Sequence, residues 1–134
     1  MIIKHITVDP DPYKLFCLAQ GYRVGDLLFI SGQAAIDVQG RIVGVGDFNA
    51  QANQAFQNLD RVLRAGGSSL KNVIKVTIFL TNMGYFDQIV QLRRRWFTAP
   101  YPADTIVEVR SLYSPDAMVE IEAVAVVDTA AEWS

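Results

Sequence analysis

Two segments, Val73–Leu80 and residues 118–127, read as β-strands whose apolar residues do not keep to one side. Successive side chains in a strand point to opposite faces, so a strand with one wet face alternates cleanly between apolar and polar. Ile74, Val76, Ile78 and Leu80 share one face of the first segment, but Phe79 joins Lys75 and Thr77 on the other. In the second, Val119, Ile121 and Ala123 form an apolar face, and valines return on the side of Glu120 and Glu122. A sheet built on such strands has to be covered on both faces. Only two helices can be read in the chain, enough for one face, so a homo-oligomer is the simplest cover for the other.

The first helix begins after Asp47, a good N-cap residue, and buries Ala52, Ala55, Phe56, Leu59, Val62 and Leu63 at helical spacing. Gly66-Gly67 suits a left-handed stop. The second helix is expected over residues 85–97 with Phe86, Ile89, Val90 and Phe97 as its apolar stripe, broken by Pro100-Tyr101-Pro102. Upstream, residues 2–8 make a short edge strand ended by Asp9-Pro10-Asp11-Pro12. Tyr22-Arg23-Val24 and Leu27-Leu28-Phe29-Ile30 pair as a hairpin across Gly25-Asp26, closed by Ser31-Gly32-Gln33, and Ile42-Val43 reads as a further short strand. A strand over 105–110 precedes the last one. The order gives a single α+β domain over residues 1–134, a mixed sheet with both helices on one face.

An apolar content of 51% with 19% charged residues excludes disorder and leaves an apolar surface for partner subunits. The net charge of −2 disfavours nucleic acid, whose nonspecific binding draws on clustered Lys and Arg. No segment approaches the roughly 20 apolar residues of a membrane span. Cys17 is the only cysteine, so no internal disulfide forms, and the expectation is a soluble, cytoplasmic protein with Cys17 as a small buried hydrophobe.

One histidine, His5, and one cysteine are too few for a metal site of soft and imidazole ligands, and a Cys-His or Ser-His-Asp arrangement would have to recruit the same His5 of an edge strand, with no nucleophile-elbow sequence anywhere in the chain. Gly44-Val45-Gly46 lacks the remaining features of a phosphate loop and reads as a turn into the Asp47 cap. Arg93, within Arg93-Arg94-Arg95, falls on the apolar side of its helix, where a guanidinium must reach out to water or pair with an acid or ligand. Glu120 and Glu122 share one strand face, and an antiparallel neighbour carrying Glu108 and Arg110 would bring those charges close. Either this is a cross-strand charge pair, or a carboxylate is held in an intersubunit cleft to bind an amine or water.

Ile30-Ser31-Gly32-Gln33, Leu63-Arg64-Ala65-Gly66-Gly67, Val73–Leu80, the Pro102-Ala103 step and Val119-Glu120-Ile121-Glu122-Ala123-Val124-Ala125 together resemble the reactive intermediate deaminase family, also called YjgF-like or endoribonuclease L-PSP. The resemblance runs from about Tyr22 to Val127. It implies a chorismate-mutase-like subunit, three of which close into a barrel of sheets with helices outside and small-molecule clefts between neighbours. Deaminating members hydrolyse enamines and imines such as 2-aminoacrylate to keto acid and ammonia, without cofactor or metal.

In those members an arginine two residues after the proline of the Pro-Ala step forks onto the substrate carboxylate. Here that position is Asp104, which inverts the charge. The family's tyrosine upstream of the hairpin falls on Leu18, its helical asparagine on Val90 and the cysteine after the arginine on Ile106. Ser31 and Glu120 match the family. The resemblance therefore implies a branch lacking the catalytic arginine. One expectation is a hydrolytic deaminase for an enamine, imine or related amino compound other than 2-aminoacrylate, with Glu120 orienting water, Ser31 holding polar atoms and Asp104 meeting an amine. The other is a binding trimer without catalysis, serving as a metabolite sensor or chaperone-like module. Arg93 either supplies the missing positive charge or pairs with Asp104.

Overall fold

A computed structural model describes all 134 residues. Six strands form one mixed sheet in the order β1-β2-β3-β6-β4-β5: β1 (Ile3–Ile6), β2 (Gly21–Val24), β3 (Leu27–Ala34), β4 (Val73–Leu80), β5 (Ala103–Glu108) and β6 (Val119–Val126). Helices α1 (Phe48–Ala65) and α2 (Phe86–Trp96) pack on one face. The α1 helix starts where the Asp47 side chain accepts the Ala50 N–H, and it ends as Gly67, not Gly66, turns left-handed with φ +85°. Its fully buried Phe56, Leu59 and Leu63 lie against Leu28, Ile30, Val76, Ile78, Ile121 and Ala123 of the sheet.

The α2 crossover makes β4 and β5 parallel neighbours, and β6 then inserts antiparallel between β3 and β4. This corrects the expected contact between the strand of Glu108 and that of Glu120, because β4 separates them. Glu108 instead accepts the Met83 N–H at 2.8 Å. The register fixes two faces. Asp104 pairs with buried Val76 on the helix side of the sheet, whereas Glu120 pairs with Phe79 on the side that carries no helix.

Three further expectations change. A bulge between Val73 and Lys75 puts Val73 in the core and leaves Ile74 exposed, so Ile74 does not share the face of Val76. The core stripe of α2 is Ile89 and Leu92, while Phe86 is exposed and Val90 half-buried, because the helix is rotated to present the latter two to a cavity. Ile42 makes only an isolated bridge to Ile36, since the glycine-rich turn that follows gives the strand no room to extend. The helix-free face leaves Tyr22, Leu27, Phe29 and Ile74 well exposed in a single chain. No helix is long and apolar enough to cross a membrane.

Candidate functional site

The candidate site residues, all but Ser31, gather in two places. Val90, Arg93, Asp104 and Ile106 line a cavity of about 520 Å³ between α2 and the edge strand β5, together with Phe86, Phe97 and Tyr101. The α2 segment reaches this position because Ile89 and Leu92 anchor its opposite side in the core. Arg93 grips Asp104 with both ends of its fork: Nε donates to Oδ2 at 2.9 Å and Nη2 to Oδ1 at 3.0 Å. Both side chains are about four-fifths buried, at 22% and 18% exposure. A two-point guanidinium–carboxylate pair is the geometry that compensates such burial best. The Arg93 carbon also lies 5.8 Å from the centre of the Phe86 ring, a cation–π contact.

Glu120 and Leu18 occur in a second, smaller pocket of about 130 Å³ with Tyr13, Phe16, Gly32 and Tyr113. The β3 strand does not stop at Ser31 but runs on to Ala34 through a register shift between Ile30 and Gln33. This irregularity turns Gly32 under Glu120, and a Cβ on Gly32 would collide with the Glu120 carboxylate. The Tyr13 hydroxyl donates to the Gly32 carbonyl and braces the same bend. Ser31 has a structural task here. Its Oγ donates to the Ala19 carbonyl at 2.6 Å, and its N–H donates to the Gln20 carbonyl at 2.9 Å, fixing the segment that carries Leu18. Buried Gln33 completes the brace by donating to Gln20 Oε1 at 3.0 Å.

Burial, with a lesser contribution from neighbouring Glu122, pushes the Glu120 carboxyl above its ordinary range. Burial likewise raises the Tyr113 hydroxyl, with Glu120 adding to it, and raises Tyr13. A carboxyl held in this way can take and return a proton closer to neutrality than a free glutamate can. Because folding raises this pKa, the folded state binds the proton more tightly than the unfolded chain. Charged Glu120 is therefore destabilising at pH values above its raised pKa, and the penalty fades as the pH falls from there through the ordinary carboxylate range. Glu120→Gln is accordingly expected to melt above the wild type near neutral pH and to lose that advantage in acid. Melting scans across pH test this, and an advantage that grew in acid would contradict it.

Sequence reasoning missed Tyr13, Phe16 and Tyr113, which come from turn-rich segments with no periodicity to signal a shared pocket. It also missed Tyr101, read only as part of a helix-breaking step. Cys17 is exposed in a left-handed turn with φ 57°, not buried, because the short turn Pro12–Phe16 ends there and swings it outward. His5 is an exposed edge-strand residue whose ring lies 5.5 Å from that of Tyr22. No group of three His, Cys, Asp or Glu side chains comes together as metal ligands would.

The model of the family described as endoribonuclease L-PSP matches residues 11–127. A RutC family protein of Sinorhizobium fredii is 38% identical over 128 residues, covering 92% of this chain and 97% of its own. A 2-iminobutanoate/2-iminopropanoate deaminase of Dermatophagoides farinae is 34% identical over 117 residues, 87% of this chain and 91% of its own. The crystal structure of RidA from the Antarctic bacterium Psychrobacter matches with a TM-score of 0.85 at 30% identity, covering 92% of this chain and 99% of that one. With strand order, helix placement and sequence in agreement, this chain belongs to the endoribonuclease L-PSP family, the Rid or YjgF-like proteins.

Proposed function

We propose that this chain is a cofactor-independent hydrolytic deaminase of the branch without the β5 arginine, acting in the cytoplasm on an enamine or imine other than 2-aminoacrylate. It works as a homotrimer in which the Glu120 pocket of one subunit closes against the Arg93–Asp104 cavity of its neighbour. The observation that carries this reading is the division of the site: the two groups of residues lie on opposite faces of one sheet with β4 between them. No single chain can apply both to one ligand. The exposed Tyr22, Leu27, Phe29 and Ile74 give the helix-free face the apolar surface a neighbour would cover. The relative named as a 2-iminobutanoate/2-iminopropanoate deaminase supports the reaction class.

In the reaction an enamine first takes a proton on carbon to become the protonated imine. The Glu120 carboxylate accepts a proton from water as the water oxygen bonds to the C=N carbon and the π electrons pass to nitrogen, giving a neutral carbinolamine. The same carboxyl gives that proton to nitrogen, and as the C–N bond breaks and ammonia leaves, the carbinolamine hydroxyl proton passes to the Glu120 carboxylate and on to solvent, leaving the carbonyl compound. Imine plus water balances carbonyl plus ammonia, with no electrons gained or lost.

A binding trimer without turnover is the second reading. It is favoured by Leu18, Val90 and Ile106, which make both pockets apolar where a polarising group would serve the C=N bond. The deciding experiment measures ammonia release from imines generated in situ from amino acids of graded side-chain size, with uncatalysed hydrolysis subtracted. The wild type is expected to accelerate release, and Glu120→Ala to lose about 100-fold or more of that acceleration. Folded wild-type protein that releases no ammonia from any of them, yet melts higher in their presence, would establish the second reading instead.

A further inference from the structure

We infer that Arg93 is itself an anion clamp, carried by α2 and held in position by Asp104, and that it fixes the carboxylate of a ligand whose body is large and apolar. The substrate identity, though not the binding, rests on the deaminase reading above. A guanidinium offers five N–H donors in a rigid plane. Asp104 takes one from Nε and one from Nη2, on one edge of the fork. Nη1 and the second Nη2 hydrogen have no protein acceptor, and no unpartnered side-chain nitrogen is sealed from solvent. Arg93 lines the cavity, so its free edge is available to a ligand there.

The charge inverted by Asp104 does not repel an anion once this pair is formed. Both carboxylate oxygens are engaged by Arg93, and Arg94 on the same wall leaves the cavity with two guanidiniums against one carboxylate. The contact of Arg93 with Phe86 and the bidentate hold of Asp104 restrict the side chain before any ligand arrives, so little ordering is left for binding to do. The rest of the wall is Val90, Phe97, Tyr101, Pro102 and Ile106. A cavity of about 520 Å³ with one cationic end and such walls suits an aromatic or branched 2-imino acid better than a two- or three-carbon one.

Isothermal titration with phenylpyruvate, pyruvate and phenylacetamide tests this on the intact protein, independently of turnover. The wild type should bind phenylpyruvate more tightly than either of the others. Arg93→Lys keeps the charge but cannot hold Asp104 and a ligand with two forks, and it should weaken phenylpyruvate about 10- to 100-fold while leaving phenylacetamide unchanged. The double variant Arg93→Gln/Asp104→Asn removes both charges, leaves none buried alone, and should show the same loss with wild-type melting. A double variant that holds phenylpyruvate as well as the wild type, or a wild type that prefers the amide or binds none of the three, overturns the inference. Arg93-dependent phenylpyruvate binding without ammonia release would defeat the deaminase reading and leave the clamp standing. Glu120-dependent ammonia release that ignores the double variant would do the reverse.

Discussion

Phe56→Ala is expected to remove about 3–5 kcal/mol from the unfolding free energy, at the upper end of what truncating one core side chain costs. Phe56 is fully buried, its ring stacked 5.6 Å from Trp96 and edge-on 5.5 Å from Phe97, centroid to centroid. It therefore ties α1 to the end of α2 as well as to the sheet. Truncation leaves a cavity between α1, the end of α2 and the sheet, which can collapse only in part, so both the transfer and the cavity contributions are felt. Against a total of roughly 5–15 kcal/mol for a domain, such a variant would be close to unfolding. Urea titration at fixed protein concentration measures it, and a loss below about 1 kcal/mol would show that the layer packs without this ring.

Gly32→Ala should give the opposite balance, with a small stability loss and a large loss of function. The added methyl group would meet the Glu120 carboxylate, with Cδ at 2.8 Å and Cγ at 2.9 Å. The end of a glutamate side chain can swing aside at little cost, so the fold survives while the carboxyl leaves its place over the β3 bend. If Glu120 handles the proton as proposed, ammonia release should fall by about 100-fold or more, the range assigned to positioned acid–base groups. Melting should change by only a few degrees, about 1 kcal/mol in a domain of this size. Full activity in Gly32→Ala would mean that the carboxyl need not stand where it does.

The two helices, the hairpin and the strands β4 and β6 were legible because each has a period that burial enforces along the chain. What was not legible arises where a local irregularity or a partner distant in sequence decides. One extra residue between Val73 and Lys75 turns Ile74 outward, and no alternation pattern announces a bulge. Phe86 and Val90 sit on an apolar arc of α2, and the arc alone does not say whether it meets a core or a cavity. The neighbours of β5 and β6 depended on β4 entering between them, a matter of topology and not of composition. Arg93 was conspicuous as a charge in an apolar stripe and Asp104 as an inverted charge, and their pairing was one of two readings the sequence left open; the two-point contact across α2 and β5 decides that the pair forms. Cys17 escaped its expected burial because the turn before it ends in a left-handed residue.

The placement of Glu120 and Asp104 on opposite faces of the sheet also has a genetic meaning. With clefts shared between neighbours as proposed, a lesion at Glu120 and a lesion at Arg93 damage different sides of the same junction. Two inactive alleles, one of each kind, expressed in the same cell would build mixed rings in which an undamaged side of one product faces an undamaged side of the other. Each such ring recovers a working junction, and the alleles complement one another although neither product works alone. Two lesions in the same half never do, so crosses among inactive variants would sort them by the side of the cleft they occupy.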